Sequence, residues 1–175
     1  MDKNTHSEKN RELQPEYALE ERIIKKLEKM GLSATTVESC TGGLLAGRLL
    51  NAPGASSVYK EGYITYSNEA KEKLAHVSHD TLKAYGAVSA QTAQEMAVGA
   101  AKAAGADAAL ATTGIAGPGG GTAQKPVGLV YIGCYLNGKT TVEEHVFAGE
   151  RAVVRSQSVE AALRLLERML SEEGL

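Results

Sequence analysis

Apolar residues recur at helical spacing between Tyr17 and Met30, and Gly31 follows where such a helix would end. The short segment Ala34 to Val37, Ala-Thr-Thr-Val, predicts a buried strand. Leucines then recur from Leu44 to Leu50, until Pro53 and Gly54 stop the pattern. The first part of the chain therefore predicts a helix, a strand and a second helix.

The middle of the chain repeats this alternation. Residues 58–66 are rich in Tyr, Ile, Val and Thr and predict a second strand, which passes into a helix over 67–74. The alanine-rich stretch 90–104 predicts a longer helix with Ser89 as its N-cap, and the apolar run 108–113 predicts a third strand.

Two further strand patterns, 127–136 and 140–147, flank Asn137-Gly138, which is a strong hairpin signal. An amphipathic helix then ends the chain. Strands that alternate with helices, interrupted by one hairpin, predict a three-layer α/β/α fold. We expect a mixed, mostly parallel sheet of about five strands with one strand reversed. Residues 1–14 lack a periodic pattern and predict a flexible tail, with a single domain over 15–175.

Composition narrows the class of protein. With 175 residues and 43% hydrophobic content, the chain can bury the core of one ordinary domain. A formal net charge of −2 argues against a nucleic-acid surface, which would need an excess of Lys and Arg. The polar N-terminus and the lack of a long apolar run predict a cytoplasmic protein with no membrane contact. Cys40 and Cys134 are too few for a disulfide framework and are not spaced as a metal site.

Candidate chemistry lies at the turn Glu38-Ser39-Cys40-Thr41-Gly42-Gly43, between the first strand and the second helix. A serine nucleophile needs a base, and no histidine stands beside this turn. Lys71 could serve as the base if burial keeps its amine neutral. Two rival nucleophiles remain. Cys40 is more nucleophilic but has no histidine partner, and Ser67 lies one helical turn before Lys71 but also suits an N-cap.

The glycine-rich segment 114–122 could bring backbone N–H groups close to a ligand. It lacks the ending of a P-loop and the dinucleotide fingerprint, so ATP or NAD binding by those routes is not supported. Arg151 and Arg155 open the last helix and could bind a phosphate, for which Lys125 is a further candidate. The alternative is a solvated helix face on which the arginines pair with Glu150 or Glu160.

Several motifs occur together and in order: Val-Glu-Ser-Cys-Thr-Gly-Gly (37–43), Ile-Thr-Tyr-Ser-Asn-Glu-Ala-Lys (64–71), Gly-Ala-Val-Ser (86–89), Thr-Gly-Ile-Ala-Gly-Pro-Gly-Gly-Gly-Thr (113–122) and Lys-Pro-Val-Gly (125–128). Over roughly residues 16–171 the chain resembles the CinA C-terminal domain family. The characterised activity of that family is nicotinamide-nucleotide amidohydrolase, which converts nicotinamide mononucleotide to nicotinate mononucleotide and ammonia.

The resemblance implies a catalytic group of Ser39 as nucleophile, Lys71 as general base and Tyr66 as a hydrogen-bonding relay that orients the pair. It also implies the same α/β architecture, a nucleotide substrate, no cofactor or metal and a possible homodimer. Together with the turn and the last helix, it gives these expected substrate-binding residues: Cys40, Thr41, Gly42, Gly43, Thr113, Gly114, Gly117, Gly119, Gly120, Arg151 and Arg155. The N–H groups of residues 40–43 are expected to stabilise the oxyanion.

Two other classes compete with an amidohydrolase. One is a non-catalytic nucleotide-binding or interaction module, because CinA domains have been linked to competence. The other is a short-chain dehydrogenase with a Tyr-Lys pair. That pair has a spacing of four, whereas Tyr66 and Lys71 are five apart, and no glycine-rich phosphate turn follows the first strand.

Overall fold

The structure, a computed structural model, describes residues 17–174, so the predicted tail 1–14 lies outside the described residues. In chain order the elements are α1 Leu19–Met30, β1 Ala34–Glu38, α2 Leu44–Leu50, α3 Ala55–Val58, β2 Tyr63–Ile64, α4 Asn68–Ala75, α5 His79–Tyr85, α6 Ala90–Ala104, β3 Ala108–Gly114, β4 Leu129–Leu136, β5 Lys139–Val146 and α7 Arg151–Glu173. Helices therefore separate β1, β2 and β3, as the alternating pattern predicts.

The strands form one sheet in the order β2-β1-β3-β4-β5. β1 pairs in parallel with both β2 and β3, whereas β4 is antiparallel to β3 and to β5. Four strands thus share one direction and β4 is reversed, which confirms the predicted mixed sheet. The hairpin at Asn137-Gly138 accounts for the reversal, because both residues have positive φ, at 47° and 89°.

Helices cover both faces of the sheet. On one face α7 packs against α1, α2, β3 and β4, and on the other α6 packs against α4, α5 and the central strands. Two hydrophobic clusters fill the spaces between these layers, one built around Ile23, Leu45 and Leu163 and the other around Met96 and Val37. The central strands β1 and β3 are almost entirely buried, as expected for strands covered on both faces.

Two glycines, Gly99 of α6 and Gly133 of β4, allow α6 to pack closely against α4 and the sheet. A Cβ at Gly99 would lie 1.7 Å from the Ala75 carbonyl oxygen, and a Cβ at Gly133 would lie 2.5 Å from the Ala93 carbonyl oxygen. Only glycine permits such approaches. The backbone of α6 therefore packs directly on the end of α4 and on β4, and this contact fixes the position of α4.

The structure corrects the strand predicted over residues 58–66. Val58 ends α3, Tyr59 makes only an isolated bridge, and the strand itself is limited to Tyr63–Ile64. The Tyr59 side chain turns into the core, where its hydroxyl lies 2.8 Å from the Thr36 hydroxyl, and Gly62 packs closely against it. Of residues 58–66, Val58, Tyr59 and Thr65 are buried and lie outside the two-residue strand, so part of the β-rich composition reflects burial rather than strand pairing.

Helix α5 has no counterpart in the predicted elements. It is only seven residues long, and the Ser78 hydroxyl caps it by accepting a hydrogen bond from the Asp80 N–H at 3.2 Å. Within residues 17–174, no helix combines the length and the apolar character needed to span a bilayer.

Candidate active site

The ends of β1 and β2 and the start of α4 bring Ser39 and Lys71 together. Ser39 directly follows β1, and its N–H donates to the Thr112 carbonyl oxygen at 2.9 Å, which ties it to β3. Lys71 lies on α4 and points back toward the sheet. Its Nζ lies 3.1 Å from Ser39 Oγ and donates to the Thr65 carbonyl oxygen at 2.8 Å. The two residues separated by 32 positions in sequence are thus in hydrogen-bonding contact.

Lys71 is a buried amine, with only 1% of its surface exposed. Burial lowers its pKa, because the charged form loses more hydration than its two hydrogen bonds to Ser39 and Thr65 replace. None of the ion pairs found within residues 17–174 involves Lys71. A lowered pKa increases the fraction of neutral amine, which is the form that can accept the Ser39 proton.

The rival nucleophiles have other environments. Burial raises the pKa of the Cys40 thiol to about 11, so that Cys40 is a protonated member of the hydrophobic core near neutral pH. The Ser67 hydroxyl accepts a hydrogen bond from the Ala70 N–H at 3.1 Å and caps α4, as its sequence position suggests. Of the three candidates, only Ser39 contacts the Lys71 amine through its side chain.

Tyr66 lies at the same cleft in a different arrangement from the expected relay. Its side chain is 64% exposed, and its hydroxyl accepts a hydrogen bond from Arg151 Nη2 at 3.2 Å. In the described part of the chain it makes no hydrogen bond to Ser39 or Lys71. Arg151 also donates from Nη1 to the Gly117 carbonyl oxygen at 2.9 Å, which joins Tyr66 to the glycine-rich segment.

The carboxylate of Glu38 organises the turn that carries Ser39. It is 1% exposed and accepts hydrogen bonds from the N–H groups of Gly43, Leu45 and Ala46 at 3.0, 3.0 and 2.8 Å. These are the unpaired donors that begin α2, so the carboxylate acts as a cap for that helix. The sequence does not predict this role, because Glu38 lies five residues before the N-cap position, Gly43, and outside the usual capping-box spacing.

This cap restricts the donors available to an oxyanion. The Gly43 N–H is already bonded to Glu38, and the Ser39 N–H to Thr112. The N–H groups of Cys40, Thr41 and Gly42 donate to no acceptor within the described residues. The Thr41 side chain faces inward, where its hydroxyl contacts Glu38 at 2.6 Å and the Thr112 hydroxyl at 2.7 Å, so that only its backbone is available to a substrate.

Arg151 and Arg155, in the first turns of α7, both reach the site, and neither pairs with Glu150 or Glu160. Arg155 donates from Nε to the Cys40 carbonyl oxygen at 3.0 Å and from Nη2 to the Thr41 carbonyl oxygen at 2.9 Å. Glu160 instead pairs with Arg48 and Arg164. The guanidinium of Arg155 therefore contacts the nucleophile turn, whereas Arg151 lies beside the glycine-rich segment.

A cleft of about 210 Å³ opens beside the Ser39 hydroxyl. Its walls include Lys71, Tyr66, Thr113, Gly114 and Arg151. A larger, shallower depression of about 820 Å³ adjoins it, because Ala116 and Arg151 line both. Asn68, Ala87 and Val88 also line the cleft and were not predicted.

The other predicted residues differ in their relation to the cleft. The Thr113 hydroxyl donates to the Ala87 carbonyl oxygen at 2.7 Å, which leaves only part of its capacity for a ligand. Gly119 and Gly120 are exposed and line neither cavity. Lys125 donates to the Tyr85 carbonyl oxygen at 2.7 Å and also lines neither one. Within residues 17–174, no group of His, Cys, Asp and Glu side chains is placed to hold a metal ion.

A serine that follows a central strand and contacts a buried lysine is an arrangement that covalent hydrolases use. Comparison with known proteins identifies the family of the chain. The CinA C-terminal domain matches residues 16–170. The chain therefore belongs to the CinA C-terminal domain family, as its motifs predict.

Relatives in two clostridia carry the name competence-damage inducible protein. The one from Clostridium novyi is 55% identical over 160 residues, which is 91% of this chain and 39% of that protein. One from Clostridium botulinum is 54% identical over 155 residues, 89% of this chain and 38% of that protein. The chain thus spans about two fifths of the length of these curated relatives.

Solved structures share the fold over nearly the whole chain. The competence/damage inducible protein CihA from Agrobacterium tumefaciens is 44% identical with a TM-score of 0.84, and the match covers 87% of this chain and 93% of that one. A CinA superfamily protein from Klebsiella pneumoniae is 36% identical with a TM-score of 0.85, covering 88% and 96%.

Proposed function

We propose that this protein is an amidohydrolase that converts nicotinamide mononucleotide to nicotinate mononucleotide and ammonia. The observation that carries the proposal is the 3.1 Å contact between the buried Lys71 amine and the Ser39 hydroxyl. A nucleophile in contact with a base whose pKa is lowered is the arrangement that covalent acyl transfer requires. Membership of the CinA family supports the choice of substrate.

The reaction follows from this contact. Neutral Lys71 accepts the Ser39 proton while Ser39 Oγ forms a bond to the carboxamide carbon. Free N–H groups of Cys40, Thr41 and Gly42 are the candidate donors to the oxyanion, and one such donor is typically worth about 10²- to 10³-fold in rate. The resulting ammonium of Lys71 gives its proton to the departing nitrogen as the C–N bond breaks, and ammonia leaves. Water, deprotonated by Lys71, then attacks the acyl-serine ester. As the bond from the acyl carbon to Ser39 Oγ breaks, the Lys71 ammonium returns its proton to Ser39 Oγ, and nicotinate mononucleotide leaves.

The smaller cleft and the adjoining larger depression together offer room for a flat ring joined to a larger group. In the proposed complex the nicotinamide lies in the smaller cleft, and the ribose phosphate extends past Arg151 into the larger depression. Arg151 is exposed and has a planar guanidinium suited to phosphate oxygens. This placement gives the mononucleotide an advantage over the riboside, which lacks the phosphate.

The proposal is tested by direct assay of ammonia released from nicotinamide mononucleotide, nicotinamide riboside and free nicotinamide. We expect release from the mononucleotide at the highest kcat/KM. An absence of release from all three would contradict the proposal and would favour the non-catalytic nucleotide-binding module. Release from free nicotinamide with equal efficiency would contradict the assigned substrate.

Replacing Arg151 with alanine is expected to raise KM for the mononucleotide by roughly tenfold to a hundredfold, because a hydrogen bond to a charged group contributes about 1.5–3 kcal/mol. KM for the riboside should change much less. Arg164→Ala is the matched control, since Arg164 lies on the same helix and pairs with Glu160 at 2.7 Å, away from the cleft. Unchanged selectivity in Arg151→Ala would exclude Arg151 as the phosphate ligand.

A further inference from the structure

The turn that carries Ser39 is held by two charged side chains of opposite sign. Glu38 accepts hydrogen bonds from the N–H groups of Gly43, Leu45 and Ala46, as described above. Arg155 donates hydrogen bonds to the carbonyl oxygens of Cys40 and Thr41 in the same turn. Glu38 is the last residue of β1, directly before the turn. Arg155 lies on α7, 115 positions from Cys40 in sequence.

We propose that Arg155 is a positioning residue that holds the backbone of residues 40–42, and with it the Ser39 hydroxyl, in place against Lys71. The inference rests on the proposed function only in taking Ser39 as the nucleophile. It assigns to Arg155 a role different from that of a phosphate ligand.

The hydrogen bonds of the guanidinium support this role. Nε and Nη2 are already directed at two successive carbonyl oxygens at 3.0 and 2.9 Å, a forked geometry that only arginine supplies. No carboxylate pairs with Arg155 among the ion pairs of residues 17–174. Two of its five N–H donors are therefore committed to the turn, although the side chain also borders the larger depression.

Packing of α7 on the sheet sets the position from which Arg155 reaches the turn. Its neighbour Val154 is fully buried, and one turn later the buried Ser158 hydroxyl donates to the Val154 carbonyl oxygen at 2.7 Å. The other end of the side chain lies against Gly42, where a Cβ would be 3.4 Å from Nη2. Gly42 also has a φ of 57°, so the turn combines a left-handed residue with a guanidinium packed against it. Through Arg155, the packing of α7 thus holds the turn that carries Ser39 in place.

Two variants separate positioning from phosphate binding. Arg155→Met keeps the apolar stem and removes the donors, whereas Arg155→Lys keeps the charge but cannot donate to two carbonyls as a planar fork. Arg164→Ala serves again as the control on α7. A phosphate ligand would be largely rescued by lysine. A positioning residue would not be.

The first measurement is amide hydrogen exchange at Gly43, Leu45 and Ala46, whose N–H groups are bonded to Glu38. We expect exchange at these amides to be faster by about tenfold or more in both Arg155 variants and unchanged in Arg164→Ala, since loss of a local constraint raises local opening. Unchanged exchange in the Arg155 variants would overturn the proposal. This measurement does not depend on activity, so a protein that releases no ammonia would contradict the proposed function and leave this inference intact.

The second measurement is steady-state kinetics on the mononucleotide and the riboside. We expect kcat to fall by about tenfold to a hundredfold on both substrates in both Arg155 variants with KM changed little, as displacing a reacting group by about 1 Å can cost that much. A selective rise in KM for the mononucleotide, rescued by Arg155→Lys, would overturn the proposal and make Arg155 a phosphate ligand.

Discussion

Replacing Ser39 with alanine is expected to abolish ammonia release while the protein stays folded. Removing the nucleophile of a comparable covalent hydrolase lowers kcat by about 10⁶-fold, and a loss of that order is expected here. The Ser39 hydroxyl is a small group at a turn whose backbone is held by Thr112, Glu38 and Arg155, so its removal leaves no large cavity. Ammonia assay and a thermal melt of the same preparation check both parts.

Two neighbouring variants serve as controls for Ser39→Ala. Ser67→Ala removes a serine hydroxyl from the same region and should cost about 1 kcal/mol of stability as a lost N-cap, with activity retained. Cys40→Ala should also remain active, because its thiol is buried and protonated. An inactive Cys40→Ala together with an active Ser39→Ala would reverse the assignment of the nucleophile.

The second large effect concerns Lys71. Only its neutral form accepts a proton, so the rate should rise with pH along a limb whose midpoint lies below the ordinary lysine pKa. Lys71→Arg should be nearly inactive, because a guanidinium keeps its charge throughout this range. The measurement is kcat/KM against pH for the unmodified protein and the variant.

Lys73→Arg is the matched control for Lys71→Arg, since it makes the same exchange at an exposed position of α4. It should leave both the rate and the pH limb unchanged. An active Lys71→Arg protein would remove lysine from the role of base. A limb centred at or above the ordinary lysine value would contradict a neutral resting amine.

Most of the fold could be predicted from sequence because its main elements carry strong local signals. The long helix α6 has a serine cap, Ser89, whose hydroxyl accepts the Thr92 N–H, and Asn137-Gly138 fixes the hairpin. The second strand was predicted over 58–66 but spans only Tyr63–Ile64, because β-branched and aromatic residues also occur at buried positions outside strands. Tyr59 is buried by contact with Thr36, a partner that local sequence does not reveal.

For the candidate site too, the sequence predicts some features and not others. The chemistry of a serine that needs a base pointed to Ser39 and Lys71, and the structure brings these two into contact. The groups that an arginine side chain of α7 contacts depend on how α7 packs on the sheet. The contacts of Arg151 with Tyr66 and of Arg155 with Cys40 therefore could not be derived from sequence spacing. Glu38 was overlooked because its partners are backbone groups of the following helix.

A lysine buried without an ion pair makes the folded protein less stable. The pKa of Lys71 is lower in the folded chain than in the unfolded chain, so unfolding takes up a proton between these two values. The protein accordingly loses stability as the pH falls from the unfolded lysine pKa through the folded one. Selection for heat resistance alone should therefore favour an apolar residue at this position. A thermostable clone recovered by such a screen would keep its cleft and have no catalyst in it.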